Sequence, residues 1–437
     1  CYTRVQHPEE TDLDTPESPK AIESAQKSTR HRSILGLSDN LWRLALVVGV
    51  AQFSWSIWGW QLGIFLETIV EPWQMGLVFS AGTIAMIAGF PISGYIADMV
   101  GRKKTMVFSF IPLSLGLLML ALIPIWPFLP LAYALASFGW SFILIISRAV
   151  PADEISADGG RNAAKRFTMV LLPAFLVDGL SPAIASGILI MGMTAKELLL
   201  MGAGGAIVAM IATMLFVKES LSVDIRNSAR EGTKVPFRNL GRTFWILAAG
   251  MLPFMFVFNM ALPYFGNLCV GEWGIDTATF GLTWSAFSLT SVLLMHAASG
   301  WTDRSVRVAL LVGIVANALI LIAFGVGSGV PMLFLFNILW AVPVMFWIGA
   351  ERTLIVSGVS NEMKGRALGF YAVLMSSTSL LAAPFGAFIW TTTGSLRVLW
   401  VLAGVLGLDF AVLLALALWL IGSGKAQGSL GSTEHSS

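Results

Sequence analysis

The sequence predicts an all-α integral membrane protein of twelve transmembrane helices, arranged as two pseudo-symmetric six-helix bundles. Three observations carry this. First, 56% of the 437 residues are hydrophobic and only 12% are charged, a balance that soluble globular chains do not show. Second, twelve apolar runs follow one another, each with the roughly 20 residues needed to cross a bilayer core of ~30 Å. Third, landmarks recur at one offset of about 204 residues: Asp98 with Asp303, Arg148 with Arg352, Pro182 with Pro384. A common offset along the chain indicates duplication of a six-span unit.

In chain order, residues 1–40 are rich in Glu, Asp, Ser, Thr, Lys and Pro and lack a helical period. Such a segment buries too little apolar area to offset its ordering entropy and is expected to be a disordered cytoplasmic tail. Spans are expected near 41–66, 74–97, 105–125, 128–149, 166–191 and 196–217, the N-terminal half (41–217). The polar stretch 218–242 then reads as a cytoplasmic linker. The C-terminal half (243–421) holds spans near 243–268, 277–300, 308–328, 330–352, 365–392 and 397–421, and 422–437 forms a second tail. The chain opens on a polar stretch with no signal-peptide pattern, and a first residue Cys1 in place of Met reads as a truncated start. Cys1 and Cys269 are the two cysteines; they make neither a disulfide framework nor a metal cluster.

Basic residues set the orientation. With the N-terminus inside, the outward loops contain only Lys196 and Arg397 of the 27 Lys and Arg. Those loops hold acids instead: Glu67, Glu71, Glu197, Glu272 and Asp276. The positive-inside bias therefore places both termini in the cytoplasm, with the plasma (inner) membrane as the expected location.

The segment SGYIADMVGRKK, residues 93–104, joins the second and third spans through a tight basic turn. Gly94, Asp98, Gly101, Arg102 and Lys103 resemble the signature loop of the major facilitator superfamily of transporters, with Met99 standing where a basic residue is usual. Residues 299–307, SGWTDRSVR, are similar to a second copy: Asp303 matches Asp98 and Arg307 matches Arg102, while Val306 replaces the turn glycine and Gly300 is displaced by one. The resemblance covers nearly the whole chain after the tail and implies alternating access between two rocking halves.

Asp98 at a helix end needs a partner. Arg148 is the expected one, because the second and fourth spans end at the same face. Arg102 is expected to meet Asp153 or Glu154, and the second half to repeat the pattern as Asp303 with Arg352 and Arg307 with Glu362. By the resemblance these pairs hold the cytoplasmic side shut when the outer side is open. The plain alternative is that the charges only fix topology, since most surface pairs contribute about 1 kcal/mol or less. That alternative suits Lys103, Lys104 and Lys364.

The resemblance also implies a central cavity walled by helices 1, 4, 7 and 10. Polar and aromatic side chains on those helices are the substrate candidates: Ser54, Trp58 and Gln61 on the first, Ser137, Trp140 and Ser141 on the fourth, and Phe256, Asn259 and Asn267 on the seventh, with Tyr264 nearby. On the tenth, Asn337, Trp340, Val344, Trp347 and Glu351 follow helical spacing along one stripe. The competing assignment for each is a helix–helix contact or an interfacial belt, which suits Trp73, Trp126, Trp273 and Trp400.

Ionisable residues within the spans are few. Asp178, at the middle of the fifth, is the first choice for a proton-binding carboxylate. A role as a packing device, bonded to a neighbouring helix, is equally open. His296 and Asp409 are expected to be structural. Small residues Ser181, Ala185 and Ser186 around Pro182 partly match the glycine-rich fifth-helix motif of antiporters, with Val177 replacing a glycine, and tilt the reading toward efflux.

No Lys or Arg falls in the middle of a span, which argues against strongly anionic solutes and for a neutral or cationic organic one. No phosphate-binding glycine loop is present and no cofactor is expected, which leaves a proton gradient as the driver. Neither HExxH nor a Ser–His or paired-carboxylate arrangement suggests an enzyme. A transport-deficient sensor or scaffold is the alternative function. The expected partners are a small-molecule substrate and the lipid bilayer, with no nucleic acid and a monomeric state.

Overall fold

A computed structural model describes residues 37–157, 163–220, 240–357, 359 and 364–431. Among the described residues twelve helices long and apolar enough to cross a membrane follow in order: α1 (Asp39–Glu67), α2 (Pro72–Val100), α3 (Arg102–Leu122), α4 (Trp126–Ile155), α5 (Thr168–Ile190) and α6 (Ala195–Phe216), then α7 (Gly241–Glu272), α8 (Thr277–Leu294), α9 (Val306–Val326), α10 (Val330–Ile355), α11 (Ala367–Thr393) and α12 (Leu396–Ile421).

Local chemistry explains where these helices begin. Ser38 caps α1 by accepting the Leu41 N–H, so residues 39–40, expected in the tail, are helical. Glu71 and Gln74 form a capping box at α2, with Pro72 at the first helical position, where a missing N–H costs nothing. Thr194 and Glu197 repeat the device at α6. Asp276 caps α8 by accepting from Thr279 N at 2.8 Å. Hydrogen bonding to Thr279 holds its carboxyl below the usual carboxylate range. Between α2 and α3 the chain turns on Gly101 alone, at φ 113°, a conformation that penalises any residue with a Cβ.

Two further boundaries differ from expectation. Residues 241–242 belong to α7 rather than to the linker, and the last helix continues to Gly431, through much of the expected tail. Residues 1–36 of the N-terminal tail and residues 221–239 of the linker lie outside the described residues.

Packing reveals the duplication directly. Within the first half α1 packs on α5 and α6, α2 on α4, and α3 on α4 and α6; within the second, α7 packs on α11 and α12, α8 on α10, and α9 on α10 and α12. Adding six to each label in the first set produces the second. Between the halves the principal contacts are α2 with α11 and α5 with α8, which the same operation exchanges. Both long central helices are also interrupted at matching places, α1 by a 3₁₀ turn at Gly59–Gln61 and α7 by one at Leu262–Tyr264.

Lipid tails provide no hydrophobic drive between helices, so close packing at small residues takes its place. At Gly76 of α2, a Cβ would lie 2.9 Å from Pro384 Cα of α11. Large apolar side chains such as Phe108, Leu215, Leu293 and Trp419 point outward, as a lipid-facing surface requires.

Candidate functional site

The two ends of the molecule differ. At the end carrying the acidic loops, the halves are joined. Asn267 of α7 is fully buried and donates its side-chain amide to Gly63 O at 2.9 Å and to Glu67 Oε2 at 2.7 Å, both on α1. Ser80 Oγ of α2 donates to Leu380 O of α11 at 2.8 Å, and the Phe79 ring meets Tyr264 edge-on. On the other seam, Gly281 of α8 is hemmed in by Ser186 and Trp60, and Gly179 of α5 by Leu289. At the basic end, Arg148 and Arg352, near the ends of α4 and α10, are both exposed.

The charge network at the basic end corrects one expectation. Asp98 pairs with Arg102 at 2.8 Å, not with Arg148, because the Gly101 turn returns the chain so that Arg102 lies one helical turn from Asp98. Arg102 also reaches Asp153 at 3.2 Å, as the sequence indicated. Glu154 is engaged instead by Ser38 at 2.7 Å and by Asn40, tying the start of α1 to the end of α4. The carboxylate of Glu219, at the start of the linker, accepts from Arg102 N at 2.8 Å and Lys103 N at 3.3 Å. An anion there satisfies free amides and the positive end of the α3 dipole. Ser220 donates to Asp153 at 3.2 Å.

Gly94, read as part of this loop, faces nothing within 4 Å of a Cβ position, so no close approach demands glycine in this conformation. Arg307 is half-buried. The side chains of Asp303 and His296, and Glu362 altogether, lie outside the described residues.

Several cavity candidates face elsewhere. Ser54 Oγ donates to Gly202 O of α6 at 2.7 Å, and Trp58 Nε1 donates to Ser54 O at 2.9 Å; both are buried in the α1–α6 seam. The α10 stripe turns into its own half. Trp340 Nε1 donates to Asn317 Oδ1 of α9 at 2.8 Å, Asn337 Nδ2 to Leu333 O at 2.9 Å, and Trp347 meets Phe254 and Phe258 edge-on. Glu351 accepts from Tyr371 OH of α11 at 2.6 Å. A polar stripe must avoid lipid, and a neighbouring helix serves that need as well as a water-filled path does. Tyr264 is likewise buried, donating to Ala383 O at 2.7 Å.

Of the other candidates Trp140 is buried, Asn259 is half-buried and Gln61 lies at a cavity. Trp140 stacks on Trp55 of α1 with ring centroids 5.0 Å apart. Asn259 is half-buried and donates to Thr378 Oγ1 of α11 at 2.9 Å. Gln61 borders a groove of about 570 Å³ at the acidic end, together with Ile64, Phe65, Met193, Lys196 and Asp276.

Asp178 lies at mid-span on α5 and is half-buried. Its Oδ1 accepts from Gln52 Nε2 at 2.9 Å and from Ser56 Oγ, both on α1, and Gln52 also donates to Ser56 at 2.8 Å. The next residue, Gly179, is the one packed on α8, so the carboxyl adjoins an inter-half seam. Sequence reasoning missed Gln52, Ser56 and Trp55; the i, i+4 pair of polar residues on an otherwise apolar α1 face was the available signal. Among the described residues no three of His, Cys, Asp and Glu gather as a metal site.

Twelve spans in two interchangeable halves, joined at one end and carrying exposed arginines at the other, define a polytopic membrane protein built by duplication. The fold is that of the major facilitator superfamily. No known family profile matches the sequence, and no curated protein matches it. Among solved structures, the nucleoside transporter NupG superposes with a TM-score of 0.70 at 14% identity, over 87% of this chain and 99% of its own. The human organic anion transporter MFSD10 (TETRAN) gives 0.61 at 14% identity, over 86% and 99%. A bacterial homologue of the human lysosomal transporter Spinster, inward-facing and occupied, gives 0.63 at 14% identity, over 86% and 94%.

Proposed function

We propose that the chain is a secondary transporter that moves a small organic solute by alternating access, with a proton gradient as the energy source. The observation that carries this reading is the asymmetry of the halves: they are clasped at the acidic end through Asn267, Gly63 and Glu67, while Arg148 and Arg352 stand exposed at the basic end. With the basic end cytoplasmic, this is an inward-facing conformation.

The solute is neutral or cationic and contacts aromatic side chains, among them the stacked Trp55 and Trp140. Asn259 offers an amide. Spans with no central Lys or Arg could not compensate a strong anion. Asp178 carries the coupling proton. Supporting this, Gln52 and Ser56 tether it to α1 while Gly179 rests on α8, so a change in its charge acts on two moving elements. The protein works as a monomer in the plasma membrane with both termini cytoplasmic, and the small residues around Pro182 favour efflux.

Reconstitution into liposomes under an imposed pH gradient, with neutral, cationic and anionic solutes offered in turn, tests the reading. Gradient-driven movement of a neutral or cationic solute is expected. Absence of any flux would return the chain to the class of sensors or scaffolds.

A further inference from the structure

At the acidic end, α1 holds a buried donor with nothing to bond. Gln61 completes the 3₁₀ turn that interrupts α1. It is 3% exposed, and its Nε2 has no hydrogen-bond partner among the described residues. A buried amide in that state is costly unless an acceptor from outside the chain meets it. The side chain borders the groove of about 570 Å³, a volume within the range of roughly 300–1,000 Å³ that small-molecule sites occupy.

The groove lies where spans end, walled by the last turns of α1 and α5 and the first turns of α6 and α8. Ile64, Phe65 and Met193 give it apolar sides. Charges of both signs also line it. Lys196 is exposed and takes part in none of the ion pairs among the described residues. Asp276 is exposed as well. Its Oδ1 accepts from Thr279 N at 2.8 Å, and a carboxylate has capacity for further donors beyond that bond.

We propose that this groove binds a zwitterionic phospholipid from the surrounding leaflet. The phosphate meets Lys196, the ammonium meets Asp276, an ester carbonyl accepts from Gln61, and an acyl chain covers Ile64, Phe65 and Met193. Complementarity selects a zwitterion: an anionic headgroup would suit Lys196 but be repelled by Asp276, and a cationic amphiphile would meet the reverse. The apolar sides select a lipid, because a free zwitterion would leave them facing water. Since α1, α5 and α6 belong to one half and α8 to the other, the lipid joins the halves at the acidic end, two residues along the chain from Gly63. That effect on conformation rests on the alternating-access reading, whereas binding does not.

The test uses the full chain stripped of lipid in detergent, with native mass spectrometry reading the bound lipid. Phosphatidylethanolamine is the probe and phosphatidylglycerol the anionic comparison. Wild type is expected to prefer phosphatidylethanolamine. Lys196→Gln and Asp276→Asn should each weaken its binding roughly fivefold, the contribution of one charge at a membrane surface. Toward phosphatidylglycerol the two variants should move in opposite directions: Asp276→Asn removes a repulsion and binds it better than wild type, whereas Lys196→Gln binds it worse. Gln61→Leu should weaken both lipids. Gel filtration confirms that each variant is folded, and a photoreactive acyl chain should label the peptides that contain Ile64, Phe65 and Met193.

Spin labels at Ile125→Cys and Thr392→Cys, both exposed, with Cys1 and Cys269 replaced, read the distance across the acidic end in nanodiscs. Phosphatidylethanolamine should increase the population with the shorter distance. Phosphatidylcholine bound as well as phosphatidylethanolamine supports the zwitterion. Selective binding that the variants lose, but with no change of distance, keeps the site and counts against alternating access. Equal binding of phosphatidylethanolamine and phosphatidylglycerol by wild type, binding unchanged in all three variants, or labelling confined to other spans would overturn the inference. So would soluble phosphoethanolamine binding as tightly as the lipid, because the apolar sides would then contribute nothing.

Discussion

Asn267 and Gly63 meet across the halves at the acidic end, where the Asn267 amide donates to the Gly63 carbonyl at 2.9 Å and to Glu67 at 2.7 Å. The approach is close because Gly63 has no side chain: a Cβ there would fall 2.4 Å from Asn267 Oδ1 and 2.9 Å from Pro263 O. Gly63→Ala is therefore expected to prevent this clasp from forming while leaving each half folded. Cysteine accessibility from the acidic side should rise, and solute flux should fall by an order of magnitude or more. Asn267→Ala removes two hydrogen bonds, each worth about 1 kcal/mol net, without a clash, so it should loosen the clasp less than Gly63→Ala does. If the two variants were equally accessible, steric contact at Gly63 would not be the controlling feature.

The Asp98–Arg102–Asp153 network lies within one half, and its members are partly solvated. Asp98→Asn should thus cost about 1 kcal/mol of stability or less and leave membrane insertion intact. Transport is nevertheless expected to be lost, because a neutral side chain no longer holds Arg102, and with it the α2–α3 turn, in place. Thermal unfolding in detergent beside vesicle flux separates the two quantities. Full flux in Asp98→Asn would leave the network with a topological role only.

At the acidic end, Asp276 caps α8 through Thr279, and that bonding lowers its pKa. A carboxyl depressed in the folded state contributes stability that is present above its unfolded value, about 3.9. The contribution is lost as pH falls through the lower folded value. Asp276→Asn keeps a capping oxygen and should be nearly neutral at pH 7, whereas Asp276→Ala should lose about 1 kcal/mol. As pH falls below the unfolded value and through the lower folded one, the difference between wild type and Asp276→Ala should shrink, as melting curves across that range would show.

Spans, duplication and the Gly101 turn were legible because each rests on a local or periodic property: apolar length, a repeated offset, a lone glycine between an acid and three cations. Side-chain partners were legible only where one choice dominated, as for Arg102 with Asp153. The sequence points Asp98 to Arg148 on another helix, whereas the turn that makes the loop recognisable also folds Arg102 back onto Asp98. On α10 the spacing of Asn337, Trp340 and Trp347 identified a face hidden from lipid, but a helical period carries no information about what lies opposite. Asn317, which receives the Trp340 indole, stands on α9 without any pattern linking the two.

Asp178 provides the sharpest test of coupling. Its Oδ1 accepts from Gln52 and Ser56 on α1, and an asparagine can keep an accepting oxygen in that place, so Asp178→Asn should fold and insert normally. What it cannot do is gain or lose a proton. Downhill exchange of solute should survive in this variant, while accumulation driven by a pH gradient should disappear, since no charge change remains to bias α1 and α8 between conformations. Gln52→Ala and Ser56→Ala leave the carboxyl titratable but strip it of one donor each. They should therefore retain driven transport with a displaced pH profile. Gradient-driven accumulation by Asp178→Asn at the wild-type level would move the coupling proton to another group, and among the described residues the Glu351 carboxyl bonded to Tyr371 would be the next to replace.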